Sequence, residues 1–146
     1  MICVSFSAFA QKTNFSGTWK LNKEKTEFGE APIWIVPQSL TVTQQSDHLV
    51  LTRTSLNDQN KEQEPISETL TFNGKPFERT ATGKTITTTV QWTNNQSFNL
   101  ERDGTTKATE TWMLADSGKT LVIDRAVVQI SNGYKYSIKC YYDKSN

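Results

Sequence analysis

Along most of the chain, apolar or aromatic residues alternate with threonine and other polar residues, and turn dipeptides break the alternation about every eight to twelve positions. A period of two puts one set of side chains on one face of a strand. Phe15, Gly17, Trp19 and Leu21 share a parity in a first predicted strand, 15–22, as do Leu40 and Val42 in 38–45 and Leu49, Leu51 and Arg53 in 48–55. After a polar loop at 57–64, further strands are predicted at 66–72, 76–81, 84–93, 96–102, 105–114, 119–130 and 134–142. The turns between them carry Ser46-Asp47, Asn73-Gly74, Thr82-Gly83, Asn94-Asn95, Asp103-Gly104, Ser117-Gly118 and Asn132-Gly133. Asn, Asp and Gly reach the positive φ of a tight hairpin at least cost, and Asn73-Gly74 is the strongest hairpin signal of the set.

No segment repeats apolar residues at i, i+3, i+4 and i+7 over three turns, and the threonine-rich run at 85–89 disfavours helix through its stiff side chains. One or two helical turns are expected only at 22–28, before Gly29 and Pro32. About ten short strands in an open sheet would leave two aggregation-prone edges, and closing the sheet removes them. Tight connections between sequential strands favour an up-and-down order over a Greek key. The expectation is therefore an all-β, antiparallel meander barrel of about eight to ten strands with Trp19 buried.

Composition narrows the function classes. With 146 residues, 35% hydrophobic and 21% charged, the chain suits one domain whose core needs no metal or disulfide. Sixteen basic and fifteen acidic side chains give a net charge of +1, and no block of like charge appears, so nucleic acid is not an expected partner. No run approaches the roughly 18 apolar residues of a membrane span. The apolar stretch 1–10 ends Ala8-Phe9-Ala10 before polar Gln11-Lys12-Thr13, the pattern at the end of a secretory signal peptide. The expected division is a signal remnant at 1–10 and a single barrel domain at 11–146, exported to the periplasm or medium; a native N-terminal strand is the alternative. With Cys3 inside that remnant, Cys140 is the one cysteine of the mature chain, expected to be buried and unpaired.

Phe15-Ser16-Gly17-Thr18-Trp19-Lys20-Leu21 resembles the opening strand of the fatty-acid-binding proteins, and Gly17-Thr18-Trp19 matches the G-x-W that begins lipocalins. Both families belong to the calycin superfamily of ligand-holding antiparallel barrels. Near the other end, Lys139-Cys140-Tyr141 looks like a relaxed form of the Arg-x-Tyr with which fatty-acid-binding proteins hold a ligand carboxylate, which implies Lys139 and Tyr141 as candidate head-group residues. The stretch 23–37 is too short and too rich in Gly and Pro for the helix-turn-helix lid of those proteins. Lipocalins place an arginine over the motif tryptophan, a part the resemblance assigns to Arg125. It implies a lipocalin-like, exported bacterial barrel.

Catalytic machinery is not expected. His48 is the single histidine and sits beside a turn, zinc would need several His and Cys ligands, and the glycines are scattered rather than gathered in a phosphate loop. No cofactor is implied. More informative are charged residues on the apolar parity: Arg53 after Leu51, Glu68 between Ile66 and Leu70, Arg79 after Phe77, Arg102 after Leu100, Glu110 before Trp112 and Arg125 after Ile123. In a barrel one parity lines the lumen, so these residues pair with one another, reach the mouth or meet an anionic ligand. Glu68 and Arg79 are one candidate cross-strand pair. The candidate ligand-binding set is Arg53, Arg79, Trp92, Arg102, Trp112, Arg125 and Tyr136, with Leu51, Leu70 and Ile86 as walls, and Lys139 and Tyr141 as a rival head on the opposite parity to Tyr136.

Two readings follow. The first is a non-enzymatic binding protein for a small amphipathic or anionic hydrophobic ligand. The second is a protein-interaction or inhibitor module with a solid core, docking through Ile33, Trp34 and Ile35. A clustering of Glu68, Arg79 and Glu110 around a pocket with a strongly shifted carboxylate would instead favour an enzyme.

Overall fold

The computed structural model describes residues 11–145. The segment assigned to a signal remnant, with Cys3, lies outside them. Ten antiparallel strands form one sheet: β1 (Gly17–Leu21), β2 (Ser39–Gln44), β3 (His48–Thr54), β4 (Ile66–Thr71), β5 (Phe77–Ala81), β6 (Lys84–Trp92), β7 (Phe98–Asp103), β8 (Thr106–Ala115), β9 (Thr120–Gln129) and β10 (Lys135–Ser145). Their spatial order is β4-β3-β2-β1-β10-β9-β8-β7-β6-β5. First and last strands join through Trp19↔Lys144 and Leu21↔Tyr142, which curls the meander into a nearly closed barrel.

The expected inner parity is the buried one. Phe15, Trp19, Leu40, Leu49, Leu51, Leu70, Val90, Phe98, Leu100, Trp112, Leu121 and Ile138 are all at most 2% exposed, while the alternate Lys20, Thr41, Thr69, Glu101 and Asp124 face solvent. The G-x-W motif has a local reason. A Cβ on Gly17 would lie 3.1 Å from Lys144 Cε, and the lysine crosses there to place its Nζ 5.5 Å from the centre of the Trp19 ring. Lys144, rather than Arg125, therefore covers the motif tryptophan.

The barrel has one seam. The two strands flanking Asn73-Gly74, the strongest hairpin signal, do not pair with each other. Asn73 Oδ1 accepts from the Lys75 amide at 2.9 Å and Gly74 takes φ +79°, so a turn does form. Pro76 follows at once, with no N–H to give to a ladder, and the Phe72 amide is already spent on the Asp47 carbonyl at 3.0 Å. The strands diverge, and each edge is short and polar outside, with Ser67, Thr69, Glu78 and Thr80 exposed.

No helix forms at 22–28. Asn22 accepts from the Lys25 and Thr26 amides in a turn, after which Glu27 bridges to Lys139 as an extension of the sheet. Gly29 and Pro32 leave too little chain for helix, and the connector makes a single 3-10 turn at Ile33–Ile35. Its Val36 and Pro37 close one end of the barrel, where the buried Tyr142 hydroxyl donates to the Pro37 carbonyl at 2.8 Å.

Candidate functional site

The lumen has two halves that meet at Trp112. Toward the end bearing the turns at 45–47, 72–76 and 93–97, aromatic rings fill the interior. Phe15 meets Phe98 edge to face at 4.9 Å, Trp92 meets Phe98 at 5.4 Å and Phe72 at 5.0 Å, and Trp112 stacks on Phe98 at 5.1 Å. Trp92 therefore belongs to this packed cluster.

Beyond Trp112 the interior is charged. Glu68 on β4, whose side chain is 0% exposed, accepts at Oε1 from Arg102 Nη2 (2.7 Å) and Arg53 Nε (3.1 Å), and at Oε2 from the Thr88 hydroxyl (3.0 Å). Glu110 on β8 accepts at Oε2 from Trp112 Nε1 (2.9 Å) and at Oε1 from Arg102 Nη1 (3.3 Å), and Arg125 Nη1 stands 3.9 Å from that same oxygen. Arg79 completes the cluster from β5 with its Nε buried. It faces the lumen without reaching Glu68: no ladder joins their strands, and the expected Glu68–Arg79 pair is replaced by Glu68 with Arg53 and Arg102.

Four guanidiniums thus surround two carboxylates, a surplus of two positive charges in a water-poor interior. Nε of Arg79, Arg102 and Arg125 are buried N–H groups that make no hydrogen bond, while Arg53 Nη2 is turned to Glu68 Oε1 at 3.0 Å. Burial, with Arg102 alongside, pushes Arg53 down to about 10, which leaves it charged at neutral pH. Burial pushes the Glu68 carboxyl up, but Arg102, Arg53 and the donated hydrogen bonds outweigh it and hold the group below its ordinary value. Held ionised in this way, Glu68 lacks the character of a proton donor at neutral pH.

Tyr136 is half-buried on the inner parity, and burial raises its hydroxyl above the ordinary tyrosine value. Cys140 is free and buried, its thiol pushed up to about 12 by burial and then by Glu110. Lys139 and Tyr141 point the other way. They share the outer parity, Lys139 on a shallow external groove with Glu27 and Ser137, so the carboxylate-holding part implied for them by resemblance has no access to the lumen. His48 makes a 2.7 Å contact with the exposed carboxylate of Asp47 in a turn, and no cluster of three or more metal-ligating side chains occurs among the described residues. The cavity between Arg53, Glu110, Arg125, Trp112, Cys140 and Tyr142 measures about 10 Å³, room for about one water.

No protein-family model and no curated protein matches this sequence. Solved structures do match. A Schistosoma mansoni fatty acid binding protein in complex with arachidonic acid superposes with a TM-score of 0.64 at 17% identity, over 90% of this chain and 96% of the other. Secretory abundant heat soluble protein 4 from Ramazzottius varieornatus gives 0.65 at 11% identity, over 93% and 98%. The fold is calycin-like. A further secretory abundant heat soluble protein structure from Ramazzottius varieornatus gives 0.59 at 14% identity, over 93% of this chain and 100% of that one. At these identities the calycin-like likeness concerns the barrel alone, and the lumen chemistry has to be read from this chain's own residues.

The charged cluster was visible in the sequence as charges on the apolar parity. The link that joins its two carboxylates was not, because Glu68 and Arg102 lie 34 residues apart on strands that are not neighbours in the sheet. Thr88 has no mark in the sequence, since a threonine on a strand carries no signal that it will hydrogen-bond a buried carboxylate. The alternation puts Trp112 on the inner parity but does not announce its indole N–H as a donor to Glu110.

Proposed function

We propose that the protein is an exported, non-enzymatic binding protein that takes the anionic head of a small amphipathic molecule into the charged half of its barrel. The observation that carries this reading is the cationic surplus around Glu68 and Glu110, with three buried guanidinium N–H groups, Nε of Arg79, Arg102 and Arg125, that make no hydrogen bond. A buried ion cluster is a poor way to stabilise a core, since apolar side chains of similar volume commonly do as well or better. Unused donors of one charge sign match a carboxylate or similar anion, which a guanidinium grips through two parallel hydrogen bonds. The barrel fold supports the reading, one of its structural neighbours being described in complex with a fatty acid. Export rests on the Ala8-Phe9-Ala10 pattern.

One observation favours a second reading. The cavity beside Arg53, Glu110 and Arg125, at about 10 Å³, has no room for a tail, so the barrel has to yield there for binding. A barrel that never yields would be a solid scaffold whose surface does the work, with Trp34 the exposed large side chain of its end connector.

The two readings separate in a calorimetric titration with dodecanoate, dodecanol and dodecyltrimethylammonium. The proposal expects saturable binding of the carboxylate, at least about tenfold weaker binding of the alcohol and none of the cation. Arg125→Met should weaken dodecanoate about tenfold, because Arg125 is held by one long ion pair and has a donor to give. No saturable binding of dodecanoate by folded protein would hand the function to the solid-scaffold reading.

A further inference from the structure

The seam and the charged cluster meet in one residue. Glu68 stands on β4, one lip of the seam, yet two of the groups that hold its carboxylate come from the far side: Thr88 on β6 and Arg102 on β7. Arg53 on β3 supplies the third. Where the backbone ladder is interrupted, this side chain ties the two margins of the sheet together. Its surroundings are also those of a bound anion, a fully buried carboxylate gripped by two guanidiniums and a hydroxyl.

We propose that Glu68 is the barrel's internal anion, occupying the cationic site of the ligand-free protein and latching the β4/β5 seam, so that an entering carboxylate displaces it and opens that seam. The inference rests on the function proposed above and adds the step by which a filled lumen admits a guest. The exchange balances in charge, because the ligand's carboxylate takes over Arg102 and Arg53 as the Glu68 carboxylate leaves them for water at the parted seam. Arg79, on the β5 lip with its Nε making no hydrogen bond, is placed to accept either carboxylate during the exchange. The tail then finds its space between the parted strands, and the aromatic half need not move.

Glu68→Gln tests this, since it keeps the size of the side chain and removes the charge. Two quantities are read: dodecanoate affinity, and amide hydrogen exchange at 66–71 and 77–81 without ligand. The latch expects Glu68→Gln to bind dodecanoate about tenfold more tightly and to exchange faster in those two strands only. In the unaltered protein, dodecanoate should raise exchange in the same strands. Thr88→Val, which removes one hydrogen bond at nearly constant volume, should move both readings the same way by a few-fold and serves if Glu68→Gln does not fold. Equal or weaker binding by a folded variant, while the unaltered protein binds, overturns the latch and leaves the binding function standing. Unchanged exchange in the seam strands of the variants overturns it as well. If neither protein binds dodecanoate, the binding function falls and displacement by ligand falls with it, while the exchange data still report whether Glu68 holds the seam.

Discussion

The two halves of the lumen lie in one barrel, on the same strands, and are buried to a similar degree, yet they are built on opposite principles. On β7, Phe98 and Arg102 are separated only by Leu100 on the inner parity. Phe98 touches three other aromatic rings besides Trp112 and gives up nothing on leaving water. Arg102 gives up its hydration and recovers it through two carboxylates that had to be buried with it. The aromatic half is a source of stability, whereas the charged half is maintained at the expense of stability and needs a different explanation. Anion recognition supplies one.

The largest effect should come from the aromatic half. Phe98→Ala removes the ring at the centre of the cluster and is expected to lower unfolding free energy in urea by about 3 to 5 kcal/mol. The preference for dodecanoate over dodecanol should survive in the folded fraction. A loss of that preference would mean that the halves are coupled more closely than their packing indicates.

The charged half should behave in the opposite way. Arg102→Met alone leaves Glu68 and Glu110 short of their shared cation and should destabilise by about 3 kcal/mol. Adding Glu68→Leu removes the stranded carboxylate as well, and the double variant should regain that loss or exceed the parent by about 1 kcal/mol while binding dodecanoate more weakly than Glu68→Leu alone. Stability recovered with binding as tight as that of Glu68→Leu would show that Arg102 is not part of the recognition element.

The smallest effect is on the pH profile. Glu68 is held below its ordinary value in the folded protein, so its contribution is present at pH values above the unfolded carboxyl's own titration and is lost as pH falls through the folded one. Thermal midpoints of the unaltered protein should therefore fall more steeply below the carboxylate range than those of Glu68→Gln. Parallel curves would mean that the Arg102 and Arg53 contacts contribute little in solution.

The same contrast explains how much of the molecule was legible in its sequence. The period-two alternation and the turn dipeptides place the strands to within a few residues, because inner and outer faces of a barrel differ in polarity all along each strand. Asn73-Gly74 shows the limit of local signals: a turn motif specifies the bend, while Pro76 and the prior engagement of Phe72 decide whether the flanking strands pair. The charged half could be located, since charges on an apolar parity are conspicuous. Its links from Glu68 to Thr88 and Arg102 could not, because they cross the lumen between non-adjacent strands, and pairing rules reach only adjacent ones. Lys139 and Tyr141 were drawn in by resemblance to a motif, and the parity of β10 places them outside.

An anion bound to the lumen arginines would be felt first by their N–H groups. In a nitrogen-15 NMR titration with dodecanoate, the Nε–H resonances of Arg102 and Arg125 should shift and gain protection from exchange, because both are buried without an acceptor in the ligand-free protein. Backbone amides around Lys139 and Tyr141 on the outer face should stay in place. Arginine Nε–H resonances that do not move while outer-face amides respond would contradict the account.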